Sequence, residues 1–364
     1  MSSNRPLNVG IIGYGLSAKV FHIPFIQASA NLALHSIVQR NPPASPTLAG
    51  TSAPLDHPSA KHHRTTDPLL SDPEVDIIIV TTPPNSHFAL TEAALRAGKH
   101  VLVEKPFVPT SAEAATLARI SEETGRFVCV FQNRRWDVDF LTVRSLLASG
   151  KLGDRVVEFE THFDRYRPNA PTGTWKADLP PSEGGGLLYD LGSHLLDQVY
   201  VLFGLPATVY AKMPSQRADG TPDSLTALLS YDSGLLVHVR AGVMSAEAKQ
   251  LRFWARGSGG SYKKYGMDPQ EATLRSEGGS VTDPSFGVDP EPGTVCVAKP
   301  DGSMAEETFT VPPAGYGSLL EGFAGAIRSG KREDIPVSAQ QAADVLKIVE
   351  AVRESATSGR EVKL

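Results

Sequence analysis

The stretch that decides the fold is "VGIIGYGLSAKVF", residues 9 to 21. A short apolar run leads into Gly13-Tyr14-Gly15-Leu16-Ser17-Ala18, a G-x-G-x-x-A pattern, and a helical pattern follows. Between a buried strand and a helix, such glycines let backbone amides approach a pyrophosphate at the helix N-terminus. We therefore predict a dinucleotide-binding Rossmann unit here, with a merely tight turn as the alternative.

Alternating strand and helix patterns continue from this loop to residue 132. Strand-like runs are "LALHSIVQR", "VDIIIVTTPP", "HVLVEKP" and "FVCVFQN", and "HFALTEAALRAGK" and "SAEAATLARISEETG" are helical. Repeated units of this kind predict an α/β fold with a doubly wound parallel sheet. The Pro-, Ser- and His-rich residues 41–66 are expected to form loops and a short helix.

The pattern changes after Asn133, where strands accumulate without intervening helices. They are "RVVEFETHFDRY", "TVYAKM", "SLTALLSY", "LLVHVRAGV" and "QLRFWARG". This predicts an α+β unit with an open antiparallel sheet of about six strands. We expect a dinucleotide-binding domain over 1–132 and a substrate and oligomerisation domain over 133–364. Residues 257–316 are expected to be loops with short strands, and a final helix over 338–357 packs back on the first domain.

The composition excludes several classes of protein. Hydrophobic residues make up 41% of the 364, the formal net charge is −5, and no basic run would suit nucleic acid. No apolar run approaches the ~20 residues of a membrane span. Two distant cysteines, Cys129 and Cys296, and no signal-like N-terminus predict the cytoplasm. "KHHR", residues 61–64, is expected to be a solvated basic surface rather than a metal site.

Arg40 indicates which nicotinamide cofactor the loop binds. A NAD site usually places Asp or Glu after the second strand, whereas this chain has "VQRN" there. An arginine suits the 2′-phosphate of NADP, which predicts NADP over NAD. A solvated surface arginine is the alternative.

Glu104, Lys105 and Pro106 end a predicted buried strand at the edge where open α/β sheets bind ligands. A lysine there can hydrogen-bond a substrate hydroxyl and stabilise developing alkoxide charge, or it can be structural. The Lys105–Pro106 bond is a candidate cis peptide.

An apolar helical pattern, "GGGLLYDLGSHLLD" (184–197), carries Asp190 and His194 four residues apart. On a regular helix the two side chains share one face. An imidazole suits the removal of a hydroxyl proton near neutral pH, and a carboxylate can orient it and stabilise its charged form. The alternatives are an ordinary i,i+4 contact and a core histidine.

The motifs "GxGxxA", "EKP" and "GGGxLxDxGxHxxD", taken in this order, resemble the Gfo/Idh/MocA family of oxidoreductases. That resemblance implies an N-terminal Rossmann domain, a C-terminal open antiparallel sheet, and Lys105, Asp190 and His194 as the catalytic group. "FHxP" (21–24) and "KYGxDPQ" (264–270) resemble the branch that contains NADP-dependent scyllo-inositol 2-dehydrogenase.

The resemblance and the glycine loop together assign a cofactor site and a substrate site. The cofactor residues are Gly13, Tyr14, Gly15, Leu16, Ser17, Ala18, Lys19, Arg40, Thr81, Thr82, Pro83, Asn85, His87, Glu104 and Lys105. The substrate residues are Asn133, Arg134 and Trp175. A domain-junction ion pair is the alternative for Asn133 and Arg134, and simple packing is the alternative for Trp175. No metal is expected.

These features predict hydride transfer between NADP and a secondary hydroxyl or ketone of a cyclic polyol or sugar, such as a scyllo-inositol-like compound. His194 would take the hydroxyl proton, Asp190 would tune His194, and Lys105 would bind the oxygen. A catalytically silent NADP-binding sensor and a dihydrodiol dehydrogenase- or biliverdin reductase-like enzyme are the alternatives. An open sheet needs cover, which predicts a homodimer or homotetramer.

Overall fold

The computed structural model describes residues 5–43, 50–170, 178–217 and 220–364. Within them the chain forms two β-sheets, with helices packed on each. The first sheet takes its strands from the N-terminal third of the chain, and the second takes them from the remainder.

The first sheet is parallel, as predicted, with the strand order β3-β2-β1-β4-β5-β6. Its strands are β1 (Leu7–Ile12), β2 (Leu32–Val38), β3 (Lys61–His63), β4 (Ile77–Val80), β5 (His100–Val103) and β6 (Val128–Val130). The central strand β4 reads IIIV and is buried throughout, as a strand covered by helices on both faces must be. The order reverses between β1 and β4, which leaves a crevice at the carboxyl edge.

Helices cover both faces of this sheet. They are α1 (Ile23–Ala28), α2 (Ala53–Asp56), α3 (Asp67–Ser71), α4 (His87–Arg96) and α5 (Ser111–Thr124). Strand β3 lies in the stretch expected to be loops. It has three residues and no hydrophobic alternation of its own, and it exists through its pairing with β2. Local sequence patterns cannot reveal a strand of that kind.

The second sheet contains nine described strands rather than about six, in the order β14-β13-β12-β11-β7-β10-β9-β8-β15. They are β7 (Val156–Asp164), β8 (Thr208–Lys212), β9 (Ser224–Ser230), β10 (Leu236–Gly242), β11 (Leu251–Gly257), β12 (Gly260–Tyr265), β13 (Gly293–Ala298), β14 (Met304–Phe309) and β15 (Val362–Lys363). The additional strands β12 to β14 lie in residues 257–316, the glycine- and proline-rich stretch that predicted loops with short strands. The sheet is mixed, because β7 and β10 pair in parallel and the remaining pairs are antiparallel.

The remaining helices are α6 (Val138–Ser149), α7 (Ser193–Phe203), α8 (Gln270–Arg275), α9 (Gly317–Ser329) and α10 (Ala339–Ser358). Of these, α7 and α10 pack on one face of the second sheet, whereas α9 packs against α1 of the first unit. Along β7, Phe159 is fully buried while Glu158 and Glu160 are partly exposed, so the strand alternates between the two faces. Phe159 packs edge-on against Phe203 of α7, with ring centroids 5.3 Å apart.

The final helix α10 contacts both sheets. The N–H of Val130 in β6 donates to the carbonyl of Val337, just before α10, at 3.1 Å. Glu350 accepts the backbone N–H and the hydroxyl of Ser111 in α5 at 2.7 and 2.6 Å. At its other end, Ser355 accepts a backbone N–H of β8 at 2.9 Å. The helix therefore joins the two halves of the molecule.

Both cysteines lie in strands. Cys129 is buried in β6 and Cys296 is half-buried in β13, and both are free thiols. None of the helices in the described part of the chain has the length and apolar character needed to cross a bilayer.

Candidate active site

A cavity of about 1400 Å³ lies at the carboxyl edge of the first sheet. Residues that follow β1 to β6 line one side of it, and residues from the part of the chain after position 132 line the other side. This is where open α/β sheets place their ligands. The cavity has two ends of different construction. We call them the Arg40 end, which contains Arg40 and Arg64, and the Lys105 end, which contains Lys105, Asp190 and His194.

The two glycines of the loop after β1 have different roles. Gly13 has φ +107°, and a Cβ built on it would lie 2.8 Å from Oγ1 of Thr81. Its position therefore excludes a side chain on steric and conformational grounds. A Cβ built on Gly15 meets no protein atom within 4 Å, although Gly15 lines the cavity. The second glycine leaves space that the protein itself does not fill.

A π-helical turn over Ala18–His22 follows the loop and ties it to the end of β5. His22 is fully buried, and its Nε2 lies 2.9 Å from Oε1 of Glu104. Ser17 donates its hydroxyl to the same carboxylate, and the N–H of Lys105 donates to its other oxygen at 3.0 Å. Burial alone would raise the pKa of Glu104, but the hydrogen bond and charge of His22 keep it below its usual value. His22 gave only one sequence signal, its place in "FHxP".

Most of the predicted cofactor residues line this cavity. They are Gly13, Tyr14, Gly15, Leu16, Ser17, Arg40, Thr81, Thr82, Pro83, Asn85, Glu104 and Lys105.

Three of the predicted cofactor residues do not line the cavity. Ala18 is fully buried. Lys19 donates its ammonium to the carbonyl of Gly50 at 2.7 Å. The buried ring of His87 lies 2.8 to 2.9 Å from backbone carbonyls of the segments that follow β4 and β5. Lys19 and His87 thus hold the neighbouring segments together.

Arg64 joins Arg40 at one end of the cavity. Arg40 follows β2 and Arg64 follows β3, and these strands pair side by side through Val38 and His63. Both arginines are exposed, and neither has an ion-pair partner among the residues that the structure describes. Arg64 is exposed, as expected for the solvated basic surface of "KHHR", and it also borders the cavity.

Lys105 and Asp190 meet at the other end of the cavity. The peptide bond between Lys105 and Pro106 is cis. The Lys105 ammonium donates to the backbone carbonyl of Asp190 at 2.7 Å and to its carboxylate at 3.1 Å. His194, only 5% exposed, borders the same space. The structure thus brings the amine, the acid and the imidazole to one cavity.

The helix that carries Asp190 and His194 is not regular. Leu188–Gly192 is a π-helical turn, and α7 begins after it. Such wider turns recur at functional sites. The glycines before it pack very closely, since a Cβ on Gly185 would lie 1.8 Å from the carbonyl oxygen of Leu179. The i,i+4 spacing predicted the shared helix but did not predict the contact between Asp190 and Lys105.

Asn133 and Arg134 lie in a 3₁₀ turn after β6, and both are buried and line the cavity. One guanidinium nitrogen of Arg134 donates to Asp137 at 3.2 Å, and another donates to Glu271 of α8. Arg134 thus forms ion pairs between segments and also borders the cavity. Trp175 lies outside the described residues.

Comparison with known proteins identifies the family. Residues 7–132 match the oxidoreductase family with an NAD-binding Rossmann fold, and residues 140–263 match the GFO/IDH/MocA C-terminal domain. The chain is 38% identical over 361 residues to the uncharacterized oxidoreductase YdgJ of Escherichia coli K12, covering 98% of this chain and 97% of that one. This protein belongs to the Gfo/Idh/MocA family.

Two further relatives narrow the comparison within the Gfo/Idh/MocA family. The scyllo-inositol 2-dehydrogenase (NADP(+)) IolW of Bacillus subtilis 168 is 34% identical, covering 98% of this chain and 96% of its own. The solved structure of the oxidoreductase yvaA from Bacillus subtilis superposes with a TM-score of 0.91 at 32% identity, with full coverage of both chains. The predicted family and fold class are confirmed, and this chain is an NAD(P)-binding oxidoreductase by family.

The "KYGxDPQ" motif of this family member supports the segment that carries Arg134. Asp268 accepts the N–H of Val138 at 2.7 Å and that of Gln270 at 2.8 Å. The side chain of Gln270 accepts the N–H of Tyr316 at 2.9 Å. Both motif residues are buried, so their contribution to the cavity is indirect.

Three buried carboxylates lie together beneath Arg134. Tyr316 donates its hydroxyl to Asp137 at 2.8 Å, and Arg252 donates to Asp139 at 3.0 Å. Burial and the charge of Asp139 raise the pKa of Asp268 to about 6. Burial and the charge of Asp268 raise the pKa of Asp137 as well. The sequence did not predict this cluster, because Asp268 reaches Asp137 and Asp139 from a segment about 130 residues away.

Proposed function

We propose that this protein transfers a hydride between NADP and a secondary hydroxyl or ketone of a cyclic polyol or sugar. The observation that carries the proposal is the shared cavity, in which the glycine loop lies near Lys105, Asp190 and His194. The similarity of this chain to scyllo-inositol 2-dehydrogenase (NADP(+)) IolW supports a cyclic polyol or sugar as the substrate.

The residues present fit a dinucleotide. Gly15 leaves open space beside the loop, where backbone N–H groups precede a helical turn. Arg40 follows β2 and Arg64 follows β3, and both line the cavity. The Asp or Glu that a NAD site usually carries after its second strand is absent from this chain. Two guanidinium groups suit a 2′-phosphate, which favours NADP. When bound, NADP supplies the hydride acceptor or donor of the reaction.

The side chains at the Lys105 end have distinct roles in this proposal. The Lys105 ammonium hydrogen-bonds the reacting oxygen and stabilises its negative charge as the hydroxyl proton leaves. The His194 imidazole accepts that proton, and it returns the proton in the reverse direction. Asp190 holds Lys105 in place through its carboxylate and carbonyl and favours the charged form of His194. Asn133 and Arg134 border the space left for the substrate.

The main rival is a sensor that binds NADPH without turnover. The presence of Lys105, Asp190 and His194 in one cavity argues against it. A panel of cyclitols and sugars, tested with NADP and NAD by the absorbance of the reduced nicotinamide, separates the two functions. We expect turnover with NADP on at least one cyclitol or sugar. Tight NADPH binding without turnover on any compound supports the sensor, and turnover confined to dihydrodiols or bilins supports the other rival.

We also propose self-association through the open face of the second sheet. On that face Trp254 lies between the guanidinium of Arg256 and the ammonium of Lys263, 3.5 and 3.8 Å from its ring centroid. A broad sheet face of this kind needs cover, and a dimer or tetramer supplies it. The two free cysteines suit a reducing compartment, and we propose the cytoplasm. Residues 1–132 and 133–364 remain our proposed domains.

A further inference from the structure

Cations outnumber carboxylates on the side of the cavity that is lined by residues after position 132. The lining cations there are Arg134, Arg165, Arg167 and Arg275, and the lining carboxylates are Asp190 and Glu271. Glu271 pairs with both Arg134 and Arg275, Arg134 also pairs with Asp137 behind the lining, and Asp190 pairs with Lys105 from the other side. The excess positive charge therefore lies on Arg165 and Arg167, in a protein whose formal net charge is −5.

The backbone aims these two arginines into the cavity. Both residues follow β7 in an extended segment. The N–H of Arg165 donates to the carbonyl of Gly242 at 3.0 Å, and the N–H of Arg167 donates to the carbonyl of Val243 at 2.7 Å. In an extended segment, residues two apart point to the same side. Phe163, Arg165 and Arg167 accordingly all line the cavity. The backbone pairing thus fixes the side of the segment from which both arginine side chains extend.

The surroundings of the two arginines do not balance their charge. Arg165 lies 3.7 Å from a carboxylate oxygen of Asp190, a group already bonded to Lys105. Its Nε is buried and has no hydrogen-bond partner, and Arg167 has no ion-pair partner within the described ranges. Burial first, and the adjacent charge of Arg167 second, lower the pKa of Arg165. Two neighbouring cations, of which only Arg165 approaches a carboxylate that is already engaged, cost free energy that a bound anion would recover.

We propose that Arg165 and Arg167 form a subsite for a carboxylate or phosphate group carried by the substrate. This inference rests on the proposed function and narrows its substrate to an anionic sugar or polyol. Guanidinium groups bind both anions in a bidentate manner. The same chemistry would suit a phosphate of the cofactor, so the experiment separates the two sources.

The test compares neutral and anionic substrates on the full-length protein with NADP. The pairs are D-glucose against D-glucuronate and D-glucose against D-glucose 6-phosphate, with scyllo-inositol as a neutral cyclitol. We expect kcat/KM for an anionic compound to exceed that of its neutral partner by about tenfold or more, as one charge-assisted contact allows. Arg165→Gln and Arg167→Gln should lower that ratio by about tenfold, mainly through KM. Arg167→Lys should retain part of it.

The control is Arg155→Gln, the same change at an exposed arginine outside the cavity, which should leave the ratio unchanged. Equal kcat/KM for neutral and anionic compounds would overturn the subsite. Equal losses on both kinds of substrate in the glutamine variants would do the same. A matching loss of NADPH affinity would assign the anion to the cofactor and also overturn it.

Calorimetric titration keeps the subsite distinguishable from the proposed function. Absence of turnover on every compound with either nicotinamide defeats the proposed function. Binding of D-glucuronate to the NADP-loaded protein, weakened by Arg167→Gln but not by Arg155→Gln, would still support the subsite. Absence of that binding would overturn it.

Discussion

The two ends of the cavity are built in different ways. At the Arg40 end, the ligand-facing groups follow neighbouring strands directly, and both arginines are exposed. At the Lys105 end, Lys105 and Asp190 come from segments 85 residues apart and meet as a partly buried pair. The exposed arginines can change with little effect on the fold. The side chains of the Lys105 end contribute to both the fold and the chemistry.

The strongest test of this contrast removes the groups of the Lys105 end. We expect Lys105→Ala and His194→Ala each to lower kcat by about 100- to 10,000-fold, because a proton acceptor or an oxygen-binding cation is lost. NADPH affinity, measured by fluorescence titration, should stay within about threefold, since single contacts of this kind contribute little to cofactor binding.

Lys249→Ala serves as the control for the lost charge, because this lysine is exposed and pairs only with Glu291 in the described structure. If the Lys105 and His194 variants lost NADPH binding as severely as turnover, their role would be structural and the contrast between the ends would fail.

The second test uses pH, because the pKa values of two buried carboxyl groups, Asp268 and Glu104, are shifted in opposite directions. The pKa of Asp268 lies near 6, against 3.8 for an ordinary carboxyl, so folding takes up a proton there. Its contribution to stability is complete below about pH 4 and falls by about 3 kcal/mol as the pH rises through 6. The lowered pKa of Glu104 acts oppositely, giving stability above pH 4.5 that is lost on acidification.

Urea unfolding across a pH series measures both effects. Asp268→Asn should remove the decline between about pH 4 and 6, and Glu104→Gln should flatten the loss of stability on the acid side. Unchanged pH profiles in both variants would show that these groups do not titrate as their surroundings require.

A third test alters the Arg40 end alone. Arg40→Asp should shift the ratio of kcat/KM for NADP over NAD toward NAD by about 10- to 100-fold, since it replaces a phosphate-binding cation with a ribose-binding acid. Arg64→Gln should shift it in the same direction by a smaller factor. Thermal unfolding should change little in either variant. Arg155→Asp is the control, and an unchanged cofactor ratio in Arg40→Asp would exclude the proposed role.

The smallest effects separate the two loop glycines. Gly13→Ala should cost about 1 to 3 kcal/mol of stability, because φ is +107° and the new Cβ meets Thr81. Gly15→Ala should change stability by less than about 0.5 kcal/mol and should weaken NADPH binding several-fold. Denaturant unfolding and NADPH titration on the same samples test this. Equal effects of the two changes on both measurements would contradict the separate roles of the glycines.

The sequence predicted that the glycine loop and Arg40 lie together because both signals are local, and the two line one cavity. A glycine loop after an apolar run, and the residue that follows the next strand, lie close in the chain and in space. Arg64 was missed because β3 is a three-residue strand defined by its partner. Arg165, Arg167 and the carboxylates around Asp268 were missed for a related reason. Their positions depend on pairing across distant segments, such as Arg165 with Gly242. Residues 257–316 were expected to contain short strands, but the local pattern did not show that β12 to β14 extend the second sheet.

The backbone hydrogen bond from Val130 to Val337 has a consequence for the synthesis of the chain. Strand β6 is the outer strand of the first sheet, and Val337 covers its free edge. During translation, more than half of the polypeptide must leave the ribosome after β6 before that cover exists. An uncovered strand edge pairs readily with other chains. The edge of β6 therefore stays open to other strands until residue 337 has been made.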